Sequence, residues 1–196
     1  RKLSILVDCR VIGLLGNSLL AAIASLGMYT FIAPLIGAHG ERSVTPYLWV
    51  WGVGGVLGSF LIGTLVDRFS GPRLTFAIML LLGIALIVLP LLLRISPLLA
   101  LIPIALWGAV GWALQVPQNN ELMKAREAQG DGNLAVALNE SALYLGSALG
   151  VSLGGLALAL QMPVDTLSIV AGLVALSGMG VQAWLWQRAN ARGADC

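Results

Sequence analysis

Glu140 is the one acid set well inside a long apolar run of this sequence. At about 100° per residue, Asn133, Glu140, Tyr144 and Ser147 share one helix face, and Asn139 falls nearer a neighbouring row of glycines. A charge at the centre of a bilayer costs about 2.5–3.5 kcal/mol on insertion scales, so an acid there generally faces a cavity or a partner. A carboxyl so placed can take up and release a proton, which makes Glu140 a candidate for proton coupling. Two plainer readings stand beside that one: the acid reaches water near the membrane surface, or it pairs with a lysine or arginine.

Other polar residues fall on shared faces. Trp112, Gln115 and Asn119 align, with Pro117 loosening the helix between them, and Ser18, Ser25 and Tyr29 align with Asn17 alongside. Tyr29, Trp112, Gln115, Asn119 and Tyr144 are candidates for the wall of a cavity that binds a partly polar, uncharged small molecule. The alternative for each is an interhelical hydrogen bond, worth about 0.6 kcal/mol on average.

A third concentration of chemistry is "GTLVDRFSGPR", Gly63 to Arg73, with charge and turn residues between two apolar runs. Asp67 lies one turn beyond Gly63, Gly71 and Pro72 reverse the chain, and Arg68 and Arg73 flank the turn. A carboxylate here can accept from the N–H groups of a neighbouring helix N-terminus, and the arginines can bridge to nearby acids. Gly63, Asp67, Arg68, Gly71 and Arg73 are candidates for a gating loop, against the plainer reading of a solvated turn.

Several chemistries are disfavoured. The single histidine, His39, falls in a loop and reads as a surface residue, so no serine nucleophile has a base within an apolar run. No paired acids or His/Cys cluster suggests a metal site, and no glycine-rich loop follows a strand pattern. Cys9 and Cys196 sit near opposite ends, form no motif and predict no disulfide framework. The expectation is a chain that is not an enzyme and uses no cofactor.

The elements that must position these residues follow from composition. The 196 residues are 58% hydrophobic and 10% charged, with a mean hydropathy of +0.91. Soluble domains are about 45–50% apolar and about 25% charged, so the solvent of this chain is lipid. A net charge of +2 with scattered basic residues argues against a nucleic-acid partner. Spanning about 30 Å of hydrocarbon takes about 20 apolar residues. Six segments qualify, at about 11–36, 46–66, 75–93, 98–118, 134–160 and 166–186, and no alternating pattern suggests a β-barrel. Pro46, Pro97 and Pro163 each stand just before a span.

Arg1, Lys2, Arg10, Arg68, Arg73, Lys124, Arg126, Arg188 and Arg192 fall on one side of these spans, and Arg42 and Arg94 on the other. That distribution places both ends in the cytoplasm. Trp49, Trp51, Trp184 and Trp186 lie near span ends, as an aromatic belt requires. Two rows of small residues mark helix-packing faces: Gly52, Gly55, Ser59 and Gly63, and Gly146, Gly150 and Gly154.

Three stretches carry a resemblance. "GTLVDRFSGPR" is similar to the G-x-x-x-D-R-x-G-x-R loop signature of the major facilitator superfamily, with one extra residue, Ser70, as in its weaker second copy. "ALNESALYLGSALGVSLGG", Ala137 to Gly155, resembles the eleventh helix of proton-coupled drug, sugar and metabolite exporters of that superfamily, and "LWGAVGWALQVPQ", Leu106 to Gln118, resembles the tenth. The resemblance implies an all-α integral membrane fold: a six-helix bundle forming the C-terminal half of a twelve-helix transporter, its N-terminal half absent from this sequence. It also implies a small-molecule substrate moved by alternating access, a bacterial inner membrane, and small-residue rows that face the absent half. A first residue other than Met agrees with a piece of a longer chain. The competing expectation is a six-helix membrane scaffold or assembly partner that transports nothing.

Overall fold

The computed structural model describes Ile5, residues 8–40 and residues 43–192, and their side chains except at 186 and 188–192. Arg1, Lys2, Arg42 and Cys196 lie outside the described residues, as do the side chains of Trp186, Arg188 and Arg192. The helices are α1 (Cys9–Tyr29), α2 (Ile32–Ala38), α3 (Thr45–Arg68), α4 (Gly71–Ile95), α5 (Pro97–Ala113), α6 (Gln115–Arg126), α7 (Gly132–Ala159) and α8 (Val164–Arg192). They make six crossings long and apolar enough to span a membrane, with α5 and α6 together forming one of them. The chain is an all-helical membrane bundle.

Helix ends follow local chemistry. Asp8 caps α1, its carboxylate accepting from the Arg10 N–H at 3.0 Å. Ser96 caps α5 ahead of Pro97, accepting from the Leu98 N–H at 3.3 Å. At the end of α7, Gln161 takes a positive φ of 64°. The Gln161 and Met162 N–H groups then donate to Leu158 and Ala157, closing the carbonyls of the last turn.

Prolines divide two of the expected spans. A proline ring clashes with the carbonyl four residues earlier. Pro34 thus disrupts the chain at Thr30, where α1 has just ended, and Pro117 disrupts it at Ala113, the last residue of α5. The segment expected at 11–36 is therefore two helices, and the one expected at 98–118 bends and continues as α6 to Arg126. Pro90 instead sits inside an unbroken α4. The carbonyl it strands, that of Leu86, accepts from the Ser168 hydroxyl of α8 at 2.6 Å.

Packing runs as an open arc. α3 packs on α5, α5 on α4, α4 on α8, α8 on α1 and α1 on α7, while α3 and α7 share no extensive contact. Glycines set the closest approaches. A Cβ on Gly150 would lie 2.7 Å from the Ile23 carbonyl oxygen and 2.8 Å from Gly27 Cα. Gly146 meets Ala22 and the Leu19 carbonyl, and Gly154 meets the Phe31 ring. The row on α7 thus faces α1 inside this chain and not an absent partner.

On α3 the contact row is Gly54, Gly55 and Gly58, against Ala105, Trp112 and Ala109. Only Gly55 of the expected row takes part. Gly52 and Gly63 have open space where a Cβ would stand, and Ser59 is exposed. Gly52 lies in a shallow apolar groove with Trp49, Val53 and Val56. The helix phase explains the shift: α5 approaches along the line that puts Gly108 on the Trp51 carbonyl, which turns Gly52 and Ser59 outward.

Two further expectations are corrected. Trp51 is buried in the core, so of the expected aromatic belt Trp49 and Trp184 are the exposed members among the described side chains. Cys9 is disulfide-bonded; the other cysteine of the sequence, Cys196, is not among the described residues.

Ion pairs fasten both ends of the bundle. At the end carrying Arg10 and Arg68, the Arg126 side chain is 4% exposed. Its Nε and Nη2 donate to the two oxygens of Asp131 at 2.8 Å each, and its Nη1 donates to Asp8 at 3.2 Å. These bonds tie the end of α6 to the turn before α7 and to the cap of α1. The hydrogen bonds from Arg126 hold the Asp131 carboxyl below its ordinary range, against the opposing effect of partial desolvation. At the other end His39 is half-covered, not a free surface residue: Asp165 in the first turn of α8 lies 2.8 Å from its Nε2 and 3.2 Å from Arg94 Nη2.

Two outcomes are expected. Gly150→Ala, whose new methyl meets the α1 backbone at Ile23 and Gly27, should lower thermal stability by about 1–3 kcal/mol, whereas Gly52→Ala should leave it unchanged or slightly raised. Equal melting of the two variants in detergent would contradict the packing. Because the folded-state pKa of Asp131 is depressed, its stabilisation is complete above the ordinary carboxylate range and is lost as pH falls through the lower folded value. Asp131→Asn should therefore melt below wild type at neutral pH and converge with it in acid.

Candidate functional site

A cavity of about 300 Å³ is lined mainly by α1, α7 and the α5–α6 bend, with Trp51 from α3 and Leu82 from α4. Its lining brings together Trp112 and Gln115 from the α5–α6 bend with Glu140 and Tyr144 from α7, over Trp51 of α3. Four of the residues selected from the sequence thus meet in one place. Glu140 and Tyr144 are one turn apart on α7, and the break at Leu114 directs both Trp112 and Gln115 toward the same space.

One wall is aromatic. Trp51 is its centre, with its ring 4.4 Å from that of Tyr29, 6.2 Å from Trp107 and 6.0 Å from Trp112, centroid to centroid. The two tryptophan contacts are edge-to-face, the arrangement that ring quadrupoles favour. Trp107 is fixed in turn by its indole N–H, which donates to Ser25 Oγ at 2.9 Å. The Trp51 N–H has no hydrogen-bond partner among the described residues, so that ring is held by packing. Tyr29, expected on the cavity wall, stands behind Trp51 and supports it.

The floor is a hydrogen-bond network among α1, α6 and α7. Gln118 is fully buried and donates to the Leu14 carbonyl at 2.7 Å and to Ser18 Oγ at 2.9 Å. Ser18 Oγ donates to Asn139 Oδ1. Asn139 Nδ2 donates to Asn119 Oδ1 at 3.0 Å, and Thr75 of α4 reaches Gln118 at 3.5 Å. Gln118 can satisfy a carbonyl of α1 because Pro117 has already turned α6 toward it. Asn119 is therefore part of the floor and not of the wall. Asn139, expected near the glycine row, is the buried centre of the polar set, while Asn133 is exposed.

Glu140 differs from Asp8, Asp131 and Asp165. It has no hydrogen bond or ion pair with any described residue, and no lysine, arginine or histidine lines the cavity. Its carboxyl is available to a proton or to a molecule entering the cavity.

The turn from Gly63 to Arg73 is arranged differently from expectation. Asp67 and Arg68 are exposed at the end of α3, and Gly63 faces open space. Arg73 is exposed in the first turn of α4. Gly71 is buried at the start of α4, where a Cβ would lie 2.5 Å from Glu121 Oε1. Glu121 Oε2 accepts from Arg10 Nη2 at 2.8 Å. The carboxylate lodged at a helix N-terminus and bridged by an arginine is thus Glu121 of α6, not Asp67. Sequence reading missed it because the fourth span was ended at residue 118. The continuing helical run "QNNELMKAR", with Leu122 fully buried, was the available signal.

No protein-family model matches the chain, and no solved structure matches it. The chain is similar to the inner membrane transport protein YdhP of Escherichia coli O157:H7, at 31% identity over 179 residues, and to YdhP of Escherichia coli strain K12, at 30% over the same length. Each match covers 89% of this chain and 45% of the relative, so the chain spans a little under half the length of the curated relatives it matches. It is an integral membrane bundle of six crossings, similar over most of its length to part of an inner membrane transport protein.

Proposed function

We propose that this chain is the C-terminal six-helix half of a secondary transporter of the major facilitator superfamily. In this reading it exports a small solute (a drug, sugar or metabolite) across a bacterial inner membrane, driven by the proton gradient. The observation that carries the reading is a bundle whose five most extensive pairings leave α3 and α7 unjoined, with a cavity beside α7 that contains an unpaired acid. The similarity to a transport protein about twice as long supports it. The outward apolar faces of α3 and α7, with Phe60 and Leu149 among their exposed side chains, then meet lipid or the N-terminal half, and the cavity lies between the halves.

Alternating access rocks one half against the other around such a site. With both ends in the cytoplasm, as the basic residues favour, Gly63, Asp67, Arg68, Gly71 and Arg73 form a cytoplasmic gate. The contact of Glu121 with Arg10 and Gly71 fastens that gate to α1. Glu140 takes the coupling proton when the cavity faces the outer side and releases it toward the cytoplasm. The reading requires no cofactor and no chemical step on the solute.

The test joins the chain to an N-terminal half in proteoliposomes and follows solute flux and lumenal pH under an imposed gradient. Coupled flux in wild type that falls by about tenfold or more in a folded Glu140→Gln variant is expected, the size of a lost transition-controlling charge contact. Coupled flux that survives the substitution would move the proton site off Glu140. Absence of flux with drugs, sugars and nucleosides alike would favour the non-transporting scaffold.

A further inference from the structure

We infer that Gly55 of α3, which does not itself line the cavity, is a positioning residue that seats the indole of Trp112 and thereby limits how wide a molecule the cavity admits. This deepens the transporter reading, and rests on it only for treating that molecule as cargo.

The seat is a contact between a ring and bare backbone. A Cβ on Gly55 would collide with Trp112 Cδ1 and stand 3.0 Å from its Nε1 and 3.3 Å from its Cγ, so the five-membered edge of the indole lies on the main chain of α3. Non-bonded carbons settle at about 3.5–4.0 Å, so a methyl at this position makes the ring withdraw. The helix does not give way in its place. Drawing α3 back would open the backbone contacts of Gly54 with Ala105, of Gly58 with Ala109 and of Gly108 with Trp51. Gly55 sits in the middle of that row.

The ring has one open side to move to. Trp51 stands edge-to-face with it at 6.0 Å between centroids, and Trp51 is itself held between Tyr29 and Trp107. Away from α3 the indole is free: Trp112 is 48% exposed and lines the cavity beside Gln115. A methyl at position 55 therefore pushes the indole into the cavity. The volume there, about 300 Å³, stands at the small end of the range for ligand sites. In a pocket that fits its guest, the space of one methylene discriminates by about tenfold or more. A glycine that reads as a helix-packing residue thus reaches the site through the ring it carries.

The experiment measures that width directly, whatever the cargo is. In the reconstituted two-half protein, made otherwise cysteine-free, Gln115→Cys places a thiol on the cavity wall three residues beyond Trp112. Its rate of labelling by methyl methanethiosulfonate is compared with that by benzyl methanethiosulfonate, which carries the same reactive group on a ring. Gly55→Ala should slow the benzyl reagent by about tenfold and the methyl reagent by less than about twofold. In a Trp112→Leu background, Gly55→Ala should leave the benzyl rate within about twofold, because the ring that transmits the effect is gone. Gly52→Ala, on the open face of the same helix, should change neither rate.

Unchanged benzyl labelling in folded Gly55→Ala would overturn the inference. So would equal slowing of both reagents, since the bundle as a whole and not the ring would then have closed. An undiminished effect of Gly55→Ala in the Trp112→Leu background would overturn it as well. Should Gly55→Ala alone not fold, the double variant decides: folding with the benzyl rate of Trp112→Leu supports the seat, and failure to fold overturns it. Flux separates the two readings. Coupled flux in a protein whose labelling ignores Gly55→Ala would overturn the seat and leave the transporter standing. The expected labelling, with no movement of any drug, sugar or nucleoside across the membrane, would keep the seat and overturn the transporter.

Discussion

In hydrocarbon, apolar burial gives helices little reason to associate, so this bundle depends on backbone approach at glycine. Gly27 against Gly150, and Gly58 against Ala109, bring main chains to distances that no side chain permits. Dispersion and weak polar contacts then act over many atoms at close range. The constraint has a consequence for shape. Helices with a glycine row facing a partner's backbone are held at close range. α3 uses its glycines on α5 and α7 uses its glycines on α1, so neither has a row left for the other, and the arc ends there.

The cavity would be a poor binding site if its walls could move independently. They are held by a second layer. The floor network places Asn139, one residue before Glu140, against Ser18 and Asn119, which fixes the rotation of α7 about its axis. Trp107 anchored on Ser25 fixes α5 against α1 and presents Trp51 and Trp112 edge to face. Buried amides in lipid have no water to fall back on, so a network satisfied in one geometry resists rotation in any other. Residues that touch no ligand therefore decide where Glu140, Tyr144 and Trp112 stand.

The fold was legible to the extent that it depends on length and apolarity. All six crossings lie where the apolar runs are, and Pro97 marks a real helix start, while α4 begins at Gly71, earlier than the run from about 75 suggested. Depth and rotation were less legible, since a helix phase depends on which neighbour it meets. The row Gly52, Gly55, Ser59 and Gly63 is as regular on paper as Gly54, Gly55 and Gly58, and only the position of α5 separates them. Spacing put Asn139 beside the glycines of α7, and it does face α1 with them; what spacing left out is that the glycine side is the buried side. Glu121 escaped for a different reason: polarity was taken as the end of a span, although an amphipathic turn beyond Pro117 can stay helical and buried at the interface of the bundle.

The acids of this chain show most directly how position separates structure from activity. Asp131 and Asp8 hold Arg126, Glu121 holds Arg10 at the start of α4, and Asp165 joins His39 and Arg94 at the opposite end. Each of these carboxylates lies at an end of the bundle, where its partner's long side chain can reach it while keeping contact with water. Glu140 lies two turns inside α7, counted from Gly132, and no basic residue lines the cavity beside it. A bundle under selection for stability alone has no use for an unpaired acid at that depth, because a neutral side chain would avoid its desolvation. A fixed arginine in the same place would pair the acid and fill the cavity.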